Sequence, residues 1–274
     1  MEQIGRILTS CGAALWGICA FPPERELLPC RAASRLPEHP CRVVMCAFPY
    51  RTEDSPGRNI SRYAVVADYH RVVRSALEQA ADKLSARLGG AFVPFVDASP
   101  IPEVACAVRA GLGVRGKNGL LITREYGSFV FLGELVTDLP LPCSPPDTGS
   151  CLSCGRCQAA CPGQAIGEQG VDASRCLSHI TQKKGALTGE EQELIRRGGL
   201  LWGCDRCQEV CPHNRTAKKT LIPAFLEDRV ARLRYDAIRP LCKTRAFGFR
   251  GPKVLERNWE ILYGRTKEKK DGSL

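Results

Sequence analysis

Residues 151–162, CLSCGRCQAACP, hold four cysteines within eleven positions and close with a proline. Their spacing, C-x2-C-x2-C-x3-C-P, is typical of iron–sulfur cluster binding. Three thiolates on one tight loop bind three irons of a four-iron cubane, and the fourth cysteine, at the start of a helix, serves another cluster. A zinc site usually needs only two C-x2-C pairs, so the threefold run favours iron.

A second run, CDRCQEVCP at 204–212, repeats the later half of this motif without its first cysteine. Cys176, in SRCLS, is the candidate for the missing ligand, which gives eight ligands for two [4Fe–4S] clusters. The crossover of the fourth cysteine predicts two sets. The first cysteine set is Cys151, Cys154, Cys157 and Cys211, and the second cysteine set is Cys161, Cys176, Cys204 and Cys207. The other cysteines are predicted to be buried structural thiols: Cys11, Cys19, Cys30, Cys41, Cys46, Cys106, Cys143 and Cys242.

The composition indicates a water-soluble globular protein of the cytoplasm. The chain has 274 residues, of which 44% are hydrophobic, and no apolar run approaches the length of a membrane span. No basic stretch precedes an apolar one at the N-terminus, so no secretory signal is expected. In a reducing compartment, sixteen cysteines indicate metal ligands rather than disulfides.

The positive charge is concentrated in the last quarter of the chain. Residues 212–274 hold 16 Lys and Arg against 7 Asp and Glu, whereas the other residues hold 23 against 22. Two interpretations stay open: a solvated basic tail, as in Lys267–Lys270, or a phosphate-binding surface.

Hydrophobic periodicity predicts an α/β or α+β domain before the cysteines. Strands are expected at 41–50, at 91–97 and within 119–139, and helices at 62–88, 102–113, 223–234 and 252–263. A Pro/Gly-rich boundary covers 140–149. The predicted domains are a catalytic domain at 1–140, a ferredoxin-like double-cubane module at 141–214 and a basic helical segment at 215–274.

Asp97 is the candidate acid of the first domain. It ends the apolar strand AFVPFVD, and such surroundings raise a carboxyl pKa and let the group donate a proton near neutral pH. The alternative is an Asp that only caps a turn. GLGVRG at 111–116 matches a dinucleotide fingerprint, but it follows a helix rather than a strand, which disfavours nucleotide binding. The four histidines are dispersed and form no metal-binding pair.

Taken in order, several motifs resemble those of epoxyqueuosine reductases, a cobalamin-dependent family related to reductive dehalogenases. They are SRYA and DYH (61–70), FVDASPIPE (95–103), RAGLGVRGKNGLLI (109–122), GSFVFLGEL (127–135), the two cysteine runs and SRCLS. The resemblance covers about residues 1–263. It implies a cobalamin-binding α/β domain followed by a double-cubane module, and reduction of epoxyqueuosine to queuosine in the tRNA wobble position.

The resemblance also implies roles for individual residues. Asp97 matches the family's proton donor, which protonates the departing epoxide oxygen while reduced cobalt, supplied with electrons by the clusters, acts on the substrate. The other matches are Leu121 and Leu132, beside the cobalamin; Ser178, Asp205 and Arg206, near the corrin; and the signature residues Tyr69, His70, Lys117 and Asn118. The implied partners are tRNA and an external electron donor such as a flavodoxin or ferredoxin, with a monomeric protein and no membrane.

The chain departs from the family pattern in places. Residues 247–264 resemble only the start of the family's helical-repeat domain, so the chain is expected to be C-terminally shortened. His213 stands where the family has Trp, and Gly-Val-Arg-Gly replaces a more aromatic stretch before Lys117. The alternatives are a corrinoid-dependent iron–sulfur reductase acting on a small molecule or a corrinoid partner, a ferredoxin-type electron carrier, and a zinc-binding nucleic-acid module.

Overall fold

The computed structural model describes residues 1–264. Its strands are β1 (Leu15–Ala20), β2 (Arg42–Pro49), β3 (Phe92–Phe95), β4 (Val114–Arg115), β5 (Leu121–Ile122), β6 (Val130–Thr137), β7 (Ile166–Gly167) and β8 (Gly170–Val171). Four of them form an antiparallel sheet in the order β1-β2-β6-β3. The pairs β4–β5 and β7–β8 form two small hairpins. The antiparallel pairing makes this an α+β arrangement, one of the two expected.

Helices cover both faces of the sheet and continue through the cysteine-rich and C-terminal regions. They are α1 (Glu2–Ser10), α2 (Arg62–Val65), α3 (Tyr69–Leu88), α4 (Glu103–Arg109), α5 (Arg156–Ala159), α6 (Leu177–Gln182), α7 (Gly189–Gly198), α8 (Arg206–Glu209), α9 (Pro223–Glu227), α10 (Ile238–Leu241) and α11 (Pro252–Tyr263). Short 3-10 helices cover Glu24–Glu26, Arg31–Arg35, Ala173–Arg175, Pro212–Asn214 and Ala246–Arg250.

The two middle strands are apolar because both faces of the sheet lie in a core. In β2, Val44 and Cys46 face the core shared with α1 and α3, whereas Val43 and Met45 face the core shared with α4. A strand buried on both sides needs no polar alternation, which explains the continuous run that predicted it. Glu134 of β6 is the exception, since its carboxyl group is completely buried.

The helix expected at 62–88 is two helices. α2 ends at Val65, and α3 begins at Tyr69 after Asp68, whose carboxylate accepts a hydrogen bond from the His70 N–H at 3.0 Å. An aspartate that satisfies the free N–H groups of a first turn favours a new helix start over continuation. The prediction of one helix was therefore wrong, and the break places Tyr69 and His70 at a helix end.

The predicted strand at 91–97 ends at Phe95, so Asp97 lies in the loop that follows β3 and leads to α4. The helix expected at 102–113 is shorter, because α4 ends at Arg109 and Gly111 has a left-handed φ of 78°. A side chain at Gly111 would also approach the carbonyl oxygen of Pro145 to 2.2 Å. The proline-rich segment thus packs against the end of α4.

The C-terminal region packs on α2 and on the residues before it. Trp202, Phe247 and Leu255 are buried in one core with Ile60. The helix expected at 252–263 is confirmed by α11, but that expected at 223–234 ends at Glu227. Beyond it the Val230 N–H donates to the Val65 carbonyl at 2.8 Å, so the chain runs beside α2 instead of coiling. Lys267–Lys270 lie outside the described residues.

None of the helices described within residues 1–264 is long and apolar enough to cross a membrane.

Candidate active site

A cavity of about 640 Å³ opens between the sheet and the cysteine-rich segment. The β6 residues Val130, Phe131 and Leu132 line its sheet side, together with Tyr50 and Tyr69. The Tyr69 ring stacks on Phe131, with 4.2 Å between ring centroids and 8° between ring planes. An aromatic wall of this size suits a broad and largely apolar ligand.

A buried polar network fixes the cysteine-bearing helix α8 to the sheet. Gln208 Oε1 accepts hydrogen bonds from the Tyr50 hydroxyl and from Ser128 Oγ, each at 3.1 Å. The Asn214 amide donates to the Gln208 carbonyl at 2.8 Å and to Ser128 Oγ at 2.9 Å. Because buried polar groups are costly to leave unpaired, this network fixes α8 against the end of β2 and the start of β6.

The second cysteine set lines the same cavity. Cys161, Cys176, Cys204 and Cys207 all lie in its wall. Burial raises the pKa of Cys204 to about 11 and that of Cys207 to about 12, and the neighbouring thiols of the set add to both increases. Thiolates crowded in this way need bound cations to stay ionised, and the iron ions of a cluster would supply that positive charge while the thiolates act as the donors.

The first cysteine set lies around a smaller cavity. Cys151, Cys154, Cys157 and Cys211 line it together with Gly116, Lys117 and Asn118. Burial raises the pKa of Cys157 and of Cys211, and both lie near Cys151 and Cys154. The cysteines therefore group in space as the crossover pattern predicts.

The crossover has a local structural cause. α5 and α8 are both four-residue helices that begin inside a C-x2-C pair and are followed by Cys-Pro, and they pack against each other. Each therefore carries one cysteine into its own set and the next into the other set. Among residues 1–264, no three His, Cys, Asp or Glu side chains converge as ligands of one metal ion. A four-iron cluster does not require such convergence, because each iron takes one thiolate.

Asp97 lines the large cavity together with the second cysteine set. Its Oδ2 lies 3.3 Å from His70 Nε2, and His70 Nδ1 lies 2.8 Å from Asp68 Oδ1. The hydrogen bond from His70 holds the pKa of Asp97 below its usual value. The expectation that apolar surroundings raise this pKa was therefore wrong, because His70 and the 63% exposure of the Asp97 side chain outweigh burial.

His70 carries the proton of this group. Burial alone lowers the pKa of His70, but the hydrogen bonds with Asp68 and Asp97 outweigh it and raise the pKa to about 9. A doubly protonated imidazole at neutral pH donates from both nitrogens, and each acceptor is a carboxylate. The cavity thus has an ionised Asp97 backed by a protonated histidine.

Known protein families match the chain in two places. The model described as "Epoxyqueuosine reductase QueG, DUF1730" matches residues 31–98, and the model of a 4Fe-4S double cluster binding domain matches residues 150–214. The epoxyqueuosine reductase of Pseudomonas aeruginosa is 46% identical over 165 residues, which cover 59% of this chain and 45% of the relative.

Solved structures of epoxyqueuosine reductases also superpose on the chain. A crystal structure of epoxyqueuosine reductase with a modified tRNA-Tyr stem loop superposes with a TM-score of 0.82 at 27% identity, covering 95% of this chain and 80% of that one. A Bacillus subtilis epoxyqueuosine reductase, whose catalytic loop is swung out of its active site, gives a TM-score of 0.79 at 27% identity with the same coverage. The chain is therefore similar to epoxyqueuosine reductases in sequence and, over most of its described length, in fold. It spans about half the length of the curated family members it matches.

The fold extends beyond the family. The structure of a reductive dehalogenase, described as B12-dependent, superposes with a TM-score of 0.57 at 19% identity and covers 80% of this chain and 32% of its own. Both proteins therefore share a fold over most of the described chain.

The residues matched to the epoxyqueuosine reductase family divide by position. Those in the wall of the large cavity are Tyr69, Asn118, Leu132, Ser178 and Arg206, with Asp97. His70 lies behind Asp97, and Lys117 lies at the smaller cavity and pairs with Glu168 at 2.8 Å. Leu121 is buried under α4, while its neighbour Leu120 lines the cavity. Asp205 is buried and accepts hydrogen bonds from Arg58 at 2.6 Å and from the Arg62 N–H at 2.9 Å, so it holds the segment before α2.

Sequence reasoning missed several residues of the site. Tyr50 and Tyr63 line the cavity. In the sequence, Tyr50 only follows the apolar strand β2 and Tyr63 only lies in the short helix α2, so neither position indicates a functional role. Glu103 lies in the first turn of α4, where acidic residues are common, so its type and position do not indicate a site. Gln208 follows a cluster cysteine, and only the fold reveals its contacts with Tyr50 and Ser128.

Proposed function

We propose that this protein reduces epoxyqueuosine to queuosine in the wobble position of tRNA, using two [4Fe–4S] clusters and cobalamin. One observation carries the proposal: the second cysteine set and Asp97 line the same cavity. Loss of the epoxide oxygen as water takes two electrons and two protons. The cluster held by the second cysteine set would supply the electrons to this space, and Asp97 would pass in the protons, the first from His70 and the second from solvent.

The two cysteine sets are the proposed cluster ligands. The set at the large cavity would hold the cluster that passes electrons to the cofactor, and the set at the smaller cavity would hold the cluster that receives them from outside. The packing of α5 against α8 keeps the two sites adjacent. The proposed donor is a flavodoxin or ferredoxin, and the proposed setting is a cytoplasmic monomer with domains at 1–140, 141–214 and 215–274.

The large cavity is the proposed cobalamin site. Bound cobalamin supplies a strongly reducing cobalt centre, chemistry that no side chain can provide. The Tyr69–Phe131 stack and Leu132 offer flat apolar contacts, and Asn118 and Ser178 offer hydrogen bonds. These are the residues expected to hold a large ring with polar edges.

Asp97 and His70 are proposed to deliver the proton. Asp97 Oδ2 faces the cavity and shares a hydrogen bond with protonated His70 Nε2. As negative charge develops on the departing oxygen, the His70 proton passes to it through Asp97. The loop that carries Asp97 is proposed to move in and out of the site, because the structure of the Bacillus subtilis relative has its catalytic loop swung out of the active site.

A basic groove beside His70 is the proposed tRNA contact. The groove, of about 390 Å³, is lined by the exposed side chains of Arg71, Arg74 and Lys243 and by Phe249, which is 60% exposed. Cations that bind phosphates beside an aromatic ring that stacks on a base are typical of single-stranded RNA contacts. Of the C-terminal basic residues, Lys243 is the one assigned to this proposed phosphate-binding surface, together with Arg71 and Arg74 of α3.

The test is anaerobic turnover. Cluster-replete protein, cobalamin and a strong reductant are incubated with epoxyqueuosine-containing tRNA, which is digested and analysed for queuosine by mass. We expect queuosine from the wild type and none from Asp97→Asn, with equal iron and cobalamin contents. Cofactor-replete protein that forms no queuosine would refute the proposed substrate and favour a corrinoid-dependent reductase of a small molecule.

A further inference from the structure

Two carboxyl groups lie beneath the Asp97 loop, and the reaction proposed above does not use them. Glu134, in the middle of β6, is completely buried. Glu103, the first residue of α4, reaches the cavity wall. Their carboxyl groups are within hydrogen-bonding contact of each other. We refer to Glu103 and Glu134 as the acid pair. Two buried acids in contact are costly if both are ionised, and a proton on one of them removes that cost.

Hydrogen bonds connect the acid pair to both ends of the Asp97 loop. The Asp97 N–H donates to Glu103 Oε1 at 3.3 Å. Ser99 Oγ donates to Glu134 Oε1 and accepts from the Ile101 N–H at 3.0 Å. The loop between β3 and α4 is thus tied to the first residue of α4 through Asp97 and to the middle of β6 through Ser99.

The buried carboxyl group of Glu134 has one oxygen without a hydrogen-bond partner. Among the described residues, Glu134 Oε2 is buried and has no donor. Burial and the charge of Glu103 raise the pKa of Glu134 well above its usual value, and burial and the charge of Asp97 raise that of Glu103 to about 7. A proton on Glu134 Oε2 can be donated to Glu103, which satisfies both groups. The other titratable groups facing the pair are Asp97, Cys106 of α4, Cys46 of β2 and Tyr69 of α3.

We propose that Glu103, held by a protonated Glu134, is a positioning residue that keeps the Asp97 carboxylate at the cavity. Asp97 has a φ of +60°, in the left-handed region that residues with a side chain seldom adopt. A backbone in that region persists only when its surroundings hold it, and the Glu103 contact is one that an outward movement of the loop would break. The kinetic part of this inference rests on the proposed function, in which Asp97 acts on the departing oxygen.

Four variants test the roles of the two acids. Glu134→Gln keeps a donor toward Glu103, so we expect it to retain at least about half of the wild-type kcat. Glu134→Leu removes the donor and Glu103→Ala removes the acceptor of the Asp97 N–H. We expect both to lower kcat by about tenfold or more, with KM changed less than about twofold, because the lost contact orients an acid rather than binding substrate. Glu103→Gln keeps an acceptor for the Asp97 N–H, so its kcat should lie between those of the wild type and of Glu103→Ala. Glu190→Ala, an exposed acid in the first turn of α7, is the matched control.

Two readouts do not depend on turnover. The infrared spectrum of the wild type minus that of Glu134→Gln should contain the carbonyl band of a protonated carboxylic acid, shifted in heavy water. A crystal structure of Glu103→Ala should have Asp97 outside the left-handed region and away from the cavity.

The outcomes separate this inference from the proposed function. Absence of the acid band, or a Glu134→Gln variant as impaired as Glu134→Leu, would mean that Glu134 is not a proton donor and would overturn the inference. An active wild type with a fully active Glu103→Ala would overturn it while leaving the function intact. A wild type without turnover that has the acid band, and whose Glu103→Ala loop moves, would leave the acid pair intact and refute the function.

Discussion

Replacing Asp68 with Asn should shift the pH limit of activity, because it removes a charge that keeps His70 protonated. Asn caps helices as well as Asp does, so α3 should keep its start while the negative charge is lost. Asp68 is the stronger partner of His70: the atoms are 2.8 Å apart and its side chain is 15% exposed, against 3.3 Å and 63% for Asp97.

The size of the effect follows from the pKa of His70, which rises from 6.5 to about 9. At about 1.4 kcal/mol per pH unit, this shift corresponds to stabilisation of the protonated ring by on the order of 3 kcal/mol. This is an upper value, because solvent screens the contribution of the exposed Asp97 carboxylate. We assign most of this stabilisation to Asp68, and we expect loss of the Asp68 charge to lower the His70 pKa by roughly one to two pH units. In the folded protein this stabilisation is complete below pH 6.5 and is lost as the pH rises through about 9.

The assay is the single-turnover rate of queuosine formation, measured from mildly acidic to strongly alkaline pH with chemically reduced clusters. The wild-type rate should fall as the pH passes about 9, and the Asp68→Asn rate should fall one to two pH units earlier. Asp82→Asn, the same change on the exposed face of α3, is the control and should match the wild type. If the alkaline limit does not move in Asp68→Asn, the proton for the reaction does not come from His70.

Three further predictions concern the clusters, the packing and the groove. Cys176→Ser should lower the iron content from about eight to about four atoms per chain, whereas Cys242→Ser should keep about eight. Iron analysis of both variants after anaerobic reconstitution measures this difference. Asp205→Asn leaves Arg58 without its buried partner and should lower the free energy of unfolding by about 3 kcal/mol, visible as earlier urea unfolding with unchanged iron content in the folded state. Lys243→Ala should weaken binding of an anticodon stem loop and reduce the salt dependence of log K by about one, and an unchanged salt slope would remove Lys243 from the contact.

The parts of the fold that follow from local sequence were predicted well. The continuous apolar run of β2 and the uninterrupted helix α11 have strong periodic signals, and both are confirmed. The cysteine spacing predicted the grouping of the two sets because the pattern depends on a local loop-and-helix geometry that is repeated twice.

The parts that depend on long-range contacts were not predicted. Asp68 divides the expected helix because its side chain caps a new one, and Val230 leaves the helical path because it pairs with α2. The pKa of Asp97 depends on His70, which lies 27 positions earlier in the chain. Apolar neighbours in the sequence gave the opposite sign, since they do not reveal which partner the fold brings to the carboxylate.

If the second cysteine set and cobalamin share one cavity, as we propose, electron paramagnetic resonance should detect their magnetic interaction. The spectrum of divalent cobalt in the bound cofactor is recorded with the clusters oxidised and then reduced. We expect a cobalt signal that is broadened or split by the reduced cluster nearby, and loss of that coupling in Cys204→Ser. A cobalt signal that is unaffected by cluster reduction in the fully loaded wild type would show that the cluster and the cobalamin do not share the cavity.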